Sequence, residues 1–267
     1  MASLARATFV LLVAVVAILA PLSAHAGIFV SPGEDNNIQP GQDMDLPEDH
    51  SNLLVAVERS IDEMPSFFDQ ELEVQNERII FVIDQSGSMG WAGISYTDPF
   101  TGRPAIGTMM DRAKAEVIRA ITALPATWRF SVVAFDCGVR AWRFTTAMAV
   151  AENKADASTW VWALMPMGAT NTSEGVIRAL MMDRECLTVA LLTDGAPNCF
   201  CPPTVSGTGS WDAYARACND WHLGRVLLNN TQGATINTFG IGASGLYEQF
   251  LMNMAMQTGG TYTAISM

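Results

Sequence analysis

The chain has 267 residues, 49% of them hydrophobic, and a formal net charge of −12. That length suffices for one substantial α/β domain with an extension, not for two full domains behind an export signal. With 15 basic residues against 27 acidic ones, and lysine only at Lys114 and Lys154, it lacks the clustered cations that a phosphate backbone requires, which excludes nucleic acid as a partner.

At the amino end, Arg6 precedes the apolar run FVLLVAVVAILAPL, which closes on the small-residue site Ala24-His25-Ala26. This is the layout of a secretory signal peptide cleaved after Ala26. The unbroken run from Phe9 to Ala20 is shorter than the roughly 20 residues of a spanning helix, and Pro21 follows it. No Cys follows the run to carry a lipid, and no later stretch is long and apolar enough to span a bilayer. The mature chain of 241 residues is therefore expected to be soluble outside the cytoplasm, secreted or periplasmic/extracellular, with no membrane span.

Residues 27–77 read as an acidic extension. Between Gly27 and Arg78 lie 13 acids opposed by Arg59 and Arg78 alone, a net −11, whereas the remainder from Ile79 carries 14 acids against 12 bases, a net −2. The stretch 31–51 is rich in Pro, Gly, Asn and acids and cannot bury enough apolar surface to offset its ordering entropy, so it reads as a linker. Ser51 can then cap a helix over 52–65, with Leu53, Leu54, Val57, Ile61 and Met64 at helical spacing. Packing on the domain's flank and a transient helix in a tail both remain open.

From residue 78 to 267 short apolar runs alternate with amphipathic stretches, the signature of an α/β domain in which helices cover a mostly parallel sheet of about six strands. The strands are expected at Ile79–Asp84, Phe130–Phe135, Val139–Phe144, Leu187–Thr193, Thr235–Ile241 and Gly260–Ile265. Helices are expected at Met109–Leu124, Ala151–Leu164, Thr172–Arg184, Trp211–Asn229 and Gly245–Thr258. The runs IIFVI and TVALLT lack alternation, as central strands buried on both faces do.

The first of these strands ends in Asp84-Gln85-Ser86-Gly87-Ser88, placing one carboxylate and two hydroxyls on a turn at a strand's carboxyl end, where open α/β sheets bind ligands. Asp84, Ser86 and Ser88 alternate, so a tight loop can turn all three oxygens inward while Gly87 allows close backbone approach. Hard cations such as Mg²⁺ want such oxygen ligands. Further on come Gly168-Ala169-Thr170-Asn171, opening a predicted helix, and Thr193-Asp194-Gly195, closing a predicted strand.

In these three parts the sequence resembles the von Willebrand factor A family, whose metal-ion-dependent adhesion site is written Asp-x-Ser-x-Ser, a distant Thr and a distant Asp. The resemblance runs from about Arg78 to Ser266 and ends in the strand-like GGTYTAIS. It implies a doubly wound, Rossmann-like sheet and a metal site of Asp84, Ser86, Ser88, Thr170 and Asp194. It also implies a bound Mg²⁺, with Mn²⁺ or Ca²⁺ as alternatives, and a protein partner whose Asp or Glu carboxylate completes the metal shell.

Two segments depart from the compact family pattern. The insertion GWAGISYTDPFTGRPAIGT after Ser88 carries Trp91, Tyr96, Phe100 and Arg103, residue types enriched in recognition surfaces, although a self-packed loop would look the same. The second, Ala196–Ser210, is rich in Cys, Pro and Gly and borders the same face. Of five cysteines, Cys137, Cys199, Cys201 and Cys218 fall toward that face, while Cys186 begins a strand at the sheet's other end, on the order of 20 Å away. Two disulfides are thus expected among the four, Cys218 taking Cys199 or Cys201, with Cys186 left as the free thiol. A soft-metal site at Cys199-x-Cys201 is the lesser alternative.

For catalysis the inventory is poor. His25 leaves with the signal, His50 lies in the linker, and His222 reads as a packed or surface histidine. No Ser-His-Asp set or zinc motif occurs, and Ser86 lacks an evident base. The sequons at Asn171 and Asn229 read as chance matches. An exported, metal-dependent, adhesion-type binding module, not an enzyme, is the expectation. The alternatives are a structural subunit of an envelope or surface assembly with a bracing metal, and a metal-assisted hydrolase.

Overall fold

The computed structural model describes residues 66–72, 74–195, 197–202 and 210–267. The expected signal peptide, the linker up to residue 65 with its helix over 52–65, and residues 203–209 of the second insertion lie outside the described residues.

In chain order the elements are β1 (Ser66–Phe67), β2 (Gln70–Glu71), β3 (Arg78–Asp84), β4 (Ala92–Thr97), β5 (Pro104–Thr108), α1 (Met109–Ala123), β6 (Arg129–Phe135), β7 (Val139–Ala141) and β8 (Ala147–Met148). They continue with α2 (Ala151–Trp162), α3 (Thr172–Met182), β9 (Thr188–Thr193), α4 (Trp211–Asn229), β10 (Thr235–Ile241), α5 (Leu246–Gln257) and β11 (Tyr262–Ile265).

The main sheet has seven strands in the order β11-β10-β9-β3-β6-β7, with the two-residue β8 pairing on the start of β6. Strands β11, β10, β9, β3 and β6 run parallel, and β7 and β8 run antiparallel to β6. The register sets Asp84 level with Phe135 and Ile83 level with Leu192, so the chain leaves β3, β6 and β9 along one edge of the sheet.

Why β3 has no polar alternation is visible in its packing. Ile79, Phe81 and Ile83 point into the layer filled by α1 and α2, together with Phe67 and Phe239. Ile80 and Val82 point into the opposite layer, filled by α3, α4 and α5 through Val176, Leu180, Val226 and Leu251. A strand covered on both faces needs apolar side chains at both parities. Helix α1 starts where it does because Thr108 and Asp111 form a capping box: the Asp111 N–H donates to Thr108 Oγ1 at 3.1 Å and the Thr108 N–H to Asp111 Oδ2 at 2.9 Å.

Three features differ from expectation. The first insertion is a β-hairpin, β4–β5, whose turn is fixed by Asp98 accepting the amides of Phe100 and Thr101. The expected strand Val139–Phe144 stops at Ala141, because Trp142 turns to stack on Phe130 at a ring separation of 5.1 Å. Packing also begins ahead of residue 78, since Phe67 and Leu72 are fully buried in the core.

Candidate metal centre

Asp84 is the last residue of β3 and is completely buried. Its Oδ1 accepts the Ser86 N–H at 2.7 Å and its Oδ2 accepts the Thr193 hydroxyl at 2.6 Å. After Asp84 the chain tightens into a 3₁₀ turn over Gly87–Gly90, which brings the Ser86 and Ser88 hydroxyl oxygens within 3.1 Å of each other. Asp194 follows β9 on the neighbouring strand, where the Ser88 side chain acts to lower the pKa of its carboxyl. The adjacent Gly195 has φ 146°, and a Cβ there would lie 2.7 Å from the Cβ of Tyr247, so only glycine fits this turn.

Thr170 arrives from the α2–α3 connection. That loop is zipped to the loop after β3: the Met167 N–H donates to the Gln85 carbonyl at 2.7 Å and the Gly87 N–H to the Gly168 carbonyl at 3.0 Å. A Cβ on Gly87 would meet the Gly168 carbonyl at 3.2 Å, which is the close approach the motif glycine allows. Thr170 itself is 3% exposed. The structure thus gathers Asp84, Ser86, Ser88 and Asp194 through side-chain contacts and holds Thr170 in a loop bonded directly to theirs.

The electrostatics of the cluster are unsatisfied. Burial pushes the Asp84 carboxyl well above the usual carboxylate range, and the negative charge of Asp194 adds to the rise; hydrogen bonds from Thr193 and Ser86 oppose it. Asp194 is raised too, by burial, against the Ser88 hydrogen bond. Among the described residues neither carboxylate has a Lys, Arg or His ion-pair partner. A buried and a half-buried acid beside neutral hydroxyls are what a hard divalent cation would relieve, since it favours the charged form of both. The donor set is all oxygen, as Mg²⁺, Mn²⁺ and Ca²⁺ prefer.

Of the insertion residues, Trp91 stands beside the cluster: its N–H donates to the Ser88 carbonyl at 3.1 Å and its side chain is 69% exposed. Tyr96 is half-buried, while Phe100 and Arg103 are exposed at the turn end of the hairpin, roughly 17–20 Å along it from Trp91. Phe100 rests edge-on against Trp162 at 5.3 Å.

The cysteines pair as Cys137–Cys199 and Cys201–Cys218, and Cys186 is free and buried, as expected from strand placement. Burial pushes the Cys186 thiol up to about 12. Cys201, Cys218 and His222 lie close together, but both thiols are consumed in the disulfide, so no thiolate remains for a soft metal. His222 is fully buried, and its Nδ1 accepts the Ser173 N–H at 3.3 Å. That leaves the proton on Nε2, which donates to the Cys199 carbonyl at 3.0 Å. Burial lowers its pKa to about 4, so the ring is a neutral strut between the start of α3 and the Cys199 segment. Asp136, not singled out in the sequence, braces the other side: its Oδ2 accepts the Gln85 side-chain amide at 2.9 Å and its carbonyl the Asn171 N–H at 2.8 Å.

No family model matches the chain. Inter-alpha-trypsin inhibitor heavy chain H2 of Sus scrofa is 32% identical over 126 residues, which cover 47% of this chain and 12% of that protein. The chain therefore spans about an eighth of the length of that relative. Among solved structures, the vWF domain of the type V pili tip protein Mfa5 from Porphyromonas gingivalis matches with a TM-score of 0.50 at 12% identity, over 71% of this chain and 89% of that one. A von Willebrand factor type A structure from Catenulispora acidiphila matches at TM-score 0.48 and 23% identity, over 70% of this chain and 38% of that one.

Proposed function

We propose that this chain, whose fold is that of a von Willebrand factor A domain, is an exported adhesion-type binding module. In this reading Asp84, Ser86, Ser88, Thr170 and Asp194 hold one divalent cation, Mg²⁺ in the first instance. An Asp or Glu carboxylate of a protein partner completes the shell, and cleavage near Ala26 delivers the domain outside the cytoplasm. The observation that carries the reading is the pair of carboxylates, buried Asp84 and half-buried Asp194, beside hydroxyls and lacking a cationic partner among the described residues.

The bound cation would supply Lewis-acid attraction for an incoming carboxylate. The protein's share is placement: Thr193 and Ser86 orient Asp84, Ser88 orients Asp194, and three neutral hydroxyls leave positive charge on the metal uncancelled. Trp91 then lies beside the entrance as a partner contact, with Tyr96, Phe100 and Arg103 extending the surface along the hairpin. A bracing role for the metal is disfavoured because the loops are already tied by two disulfides and by backbone bonds from Met167 and Gly87. Hydrolysis is disfavoured because both ring nitrogens of His222 are engaged, leaving it unable to serve Ser86 as a base.

The test is titration calorimetry of the mature protein with Mg²⁺, beside Asp194→Ala. The variant removes a surface-loop charge and no core volume, so it should stay folded and lose cation binding. Unchanged Mg²⁺ affinity in the variant would remove the site from this place. Capture of partners in Mg²⁺ but not in chelator tests the adhesion step.

A further inference from the structure

The segment from Pro197 to Cys201 follows Asp194 and is anchored from several directions. Cys199 is bonded to Cys137 in the β6–β7 turn, Cys201 to Cys218 in α4, and the Cys199 carbonyl accepts from His222. Against this fixed frame Thr170 is held by a reciprocal pair of bonds to one residue. The Thr170 N–H donates to Asn198 Oδ1 at 2.8 Å, and the Thr170 carbonyl accepts the Asn198 N–H at 2.9 Å and the Cys199 N–H at 3.0 Å.

Thr170 is buried, so without the Asn198 side chain its amide would lack this partner in a place water reaches poorly. Asn198 itself is exposed. Its side chain fills no core space, and its described bond is to Thr170.

We infer that Asn198 is a positioning residue: it sets the Thr170 peptide, and with it the Thr170 hydroxyl, relative to the loop that carries Asp194. This rests on the reading of Asp84, Ser86, Ser88, Thr170 and Asp194 as a cation site. Asn198 touches no ligand in this account; it acts through Thr170. Because Asn198 lies four residues after Asp194, one side chain couples the two parts of the site that come from different loops. A residue with a short side-chain acceptor and a backbone N–H can make both bonds, which Asn and Asp satisfy and Ala does not.

The experiment compares wild type, Asn198→Ala, Asn198→Asp, Thr170→Ala and the double variant Asn198→Ala/Thr170→Ala of the mature protein. Amide hydrogen exchange is read without metal, and Mg²⁺ affinity is read by calorimetry. Asn198→Ala should speed exchange at the Thr170 amide about five- to tenfold while the amides of β10 stay as in wild type, and should weaken Mg²⁺ binding by a similar factor. Asn198→Asp keeps the acceptor and should restore protection of the Thr170 amide. In the Thr170→Ala background, adding Asn198→Ala should cost little further Mg²⁺ affinity, because the group it positions is gone. Unchanged Thr170 exchange in Asn198→Ala, or an equal loss of affinity with and without Thr170, overturns the inference. A wild-type protein that takes up no Mg²⁺, with the exchange response intact, overturns instead the cation reading on which it stands.

Discussion

Thr193 donates its hydroxyl to Asp84 Oδ2 across 2.6 Å, joining the last residues of two adjacent strands, β9 and β3, beneath the candidate site. Thr193 Oγ1 also accepts the Gly195 N–H at 3.1 Å, so one hydroxyl fixes both the Asp84 carboxylate and the turn after Asp194.

Thr193→Val keeps the shape and burial of the side chain and removes that hydroxyl. It strips a hydrogen bond from a buried carboxylate and should cost about 1.5–3 kcal/mol of stability. Since the Thr193 bond lowers the Asp84 pKa, its loss should raise that pKa further and weaken Mg²⁺ uptake at neutral pH. Urea unfolding and Mg²⁺ titration of the variant check both effects; wild-type values in both would show that Thr193 does not support the site.

One acid-sensitive share of the stability should come from His222. Its pKa is lowered from 6.5 to about 4 by burial, so the unfolded chain takes up a proton at a pH where the folded one does not. Stability from this residue is complete above pH 6.5 and falls as the pH drops toward 4, by up to about 3 kcal/mol. The charge facing the ring is Arg225, which lowers the pKa further and is itself paired with Glu174 at 2.9 Å. Asp111 and Asp183 have lowered pKa values and act below this window, whereas the raised Asp84 and Asp194 carboxyls favour the folded state as the pH falls, so the His222 share is read as the difference between wild type and a variant without the ring. His222→Gln should be less stable than wild type at neutral pH, by a margin that shrinks as the pH falls from 6.5 to 4. A slope as steep as wild type's in denaturation midpoints across that window would assign the effect elsewhere.

Cys186 should resist thiol reagents in the folded protein. It is buried, and its thiol is pushed up to about 12, so little thiolate exists at neutral pH. Maleimide labelling should therefore follow global unfolding, with one thiol modified per unfolded chain when the disulfides are intact. Breaking Cys137–Cys199 by paired serine substitution removes a closed loop with a sequence separation of 62 and should cost about 4 kcal/mol. Rapid labelling of the native chain at Cys186, or a free thiol mapped to Cys137, would contradict this arrangement.

Most of the fold was legible because the buried parallel strands carry unbroken apolar runs and the helices between them are long. Thr235–Ile241 and Trp211–Asn229 match their sequence boundaries, and Met109 marks the start of α1 as expected. The hairpin β4–β5 was harder to read, since its strands are mostly exposed and only Ile94 is buried. At the candidate site, the alternation of Asp84, Ser86 and Ser88 at a strand end was visible in the sequence, while Thr170 and Asp194 were added by the resemblance to the von Willebrand factor A motif. Asn198 and Asp136 were not singled out, because each works through a backbone amide far away in sequence, and such bonds leave no side-chain pattern to find.

Partner binding should depend on Thr170 more steeply than cation binding does. Thr170 is held by its backbone to Asn198 and Cys199, so Thr170→Ala should leave the loop in place and delete only the hydroxyl. Asp84, Ser86, Ser88 and Asp194 would remain to retain the cation, two of them charged. What the variant loses is one neutral oxygen among the ligands that leave the metal's charge exposed to an incoming carboxylate. Its effect should therefore be felt mainly in the ligand-bound state, as a partner affinity reduced on the order of tenfold or more at saturating Mg²⁺, the scale of one charge-assisted contact. The measurement is partner binding by wild type and Thr170→Ala at saturating Mg²⁺ and in chelator, repeated with the partner's candidate carboxylates changed to amides. Chelation and the amide changes should each abolish binding by wild type. If Thr170→Ala binds as wild type does, or if no carboxylate of the partner matters, the cation acts as a brace and carboxylate capture is not how this domain holds its partner.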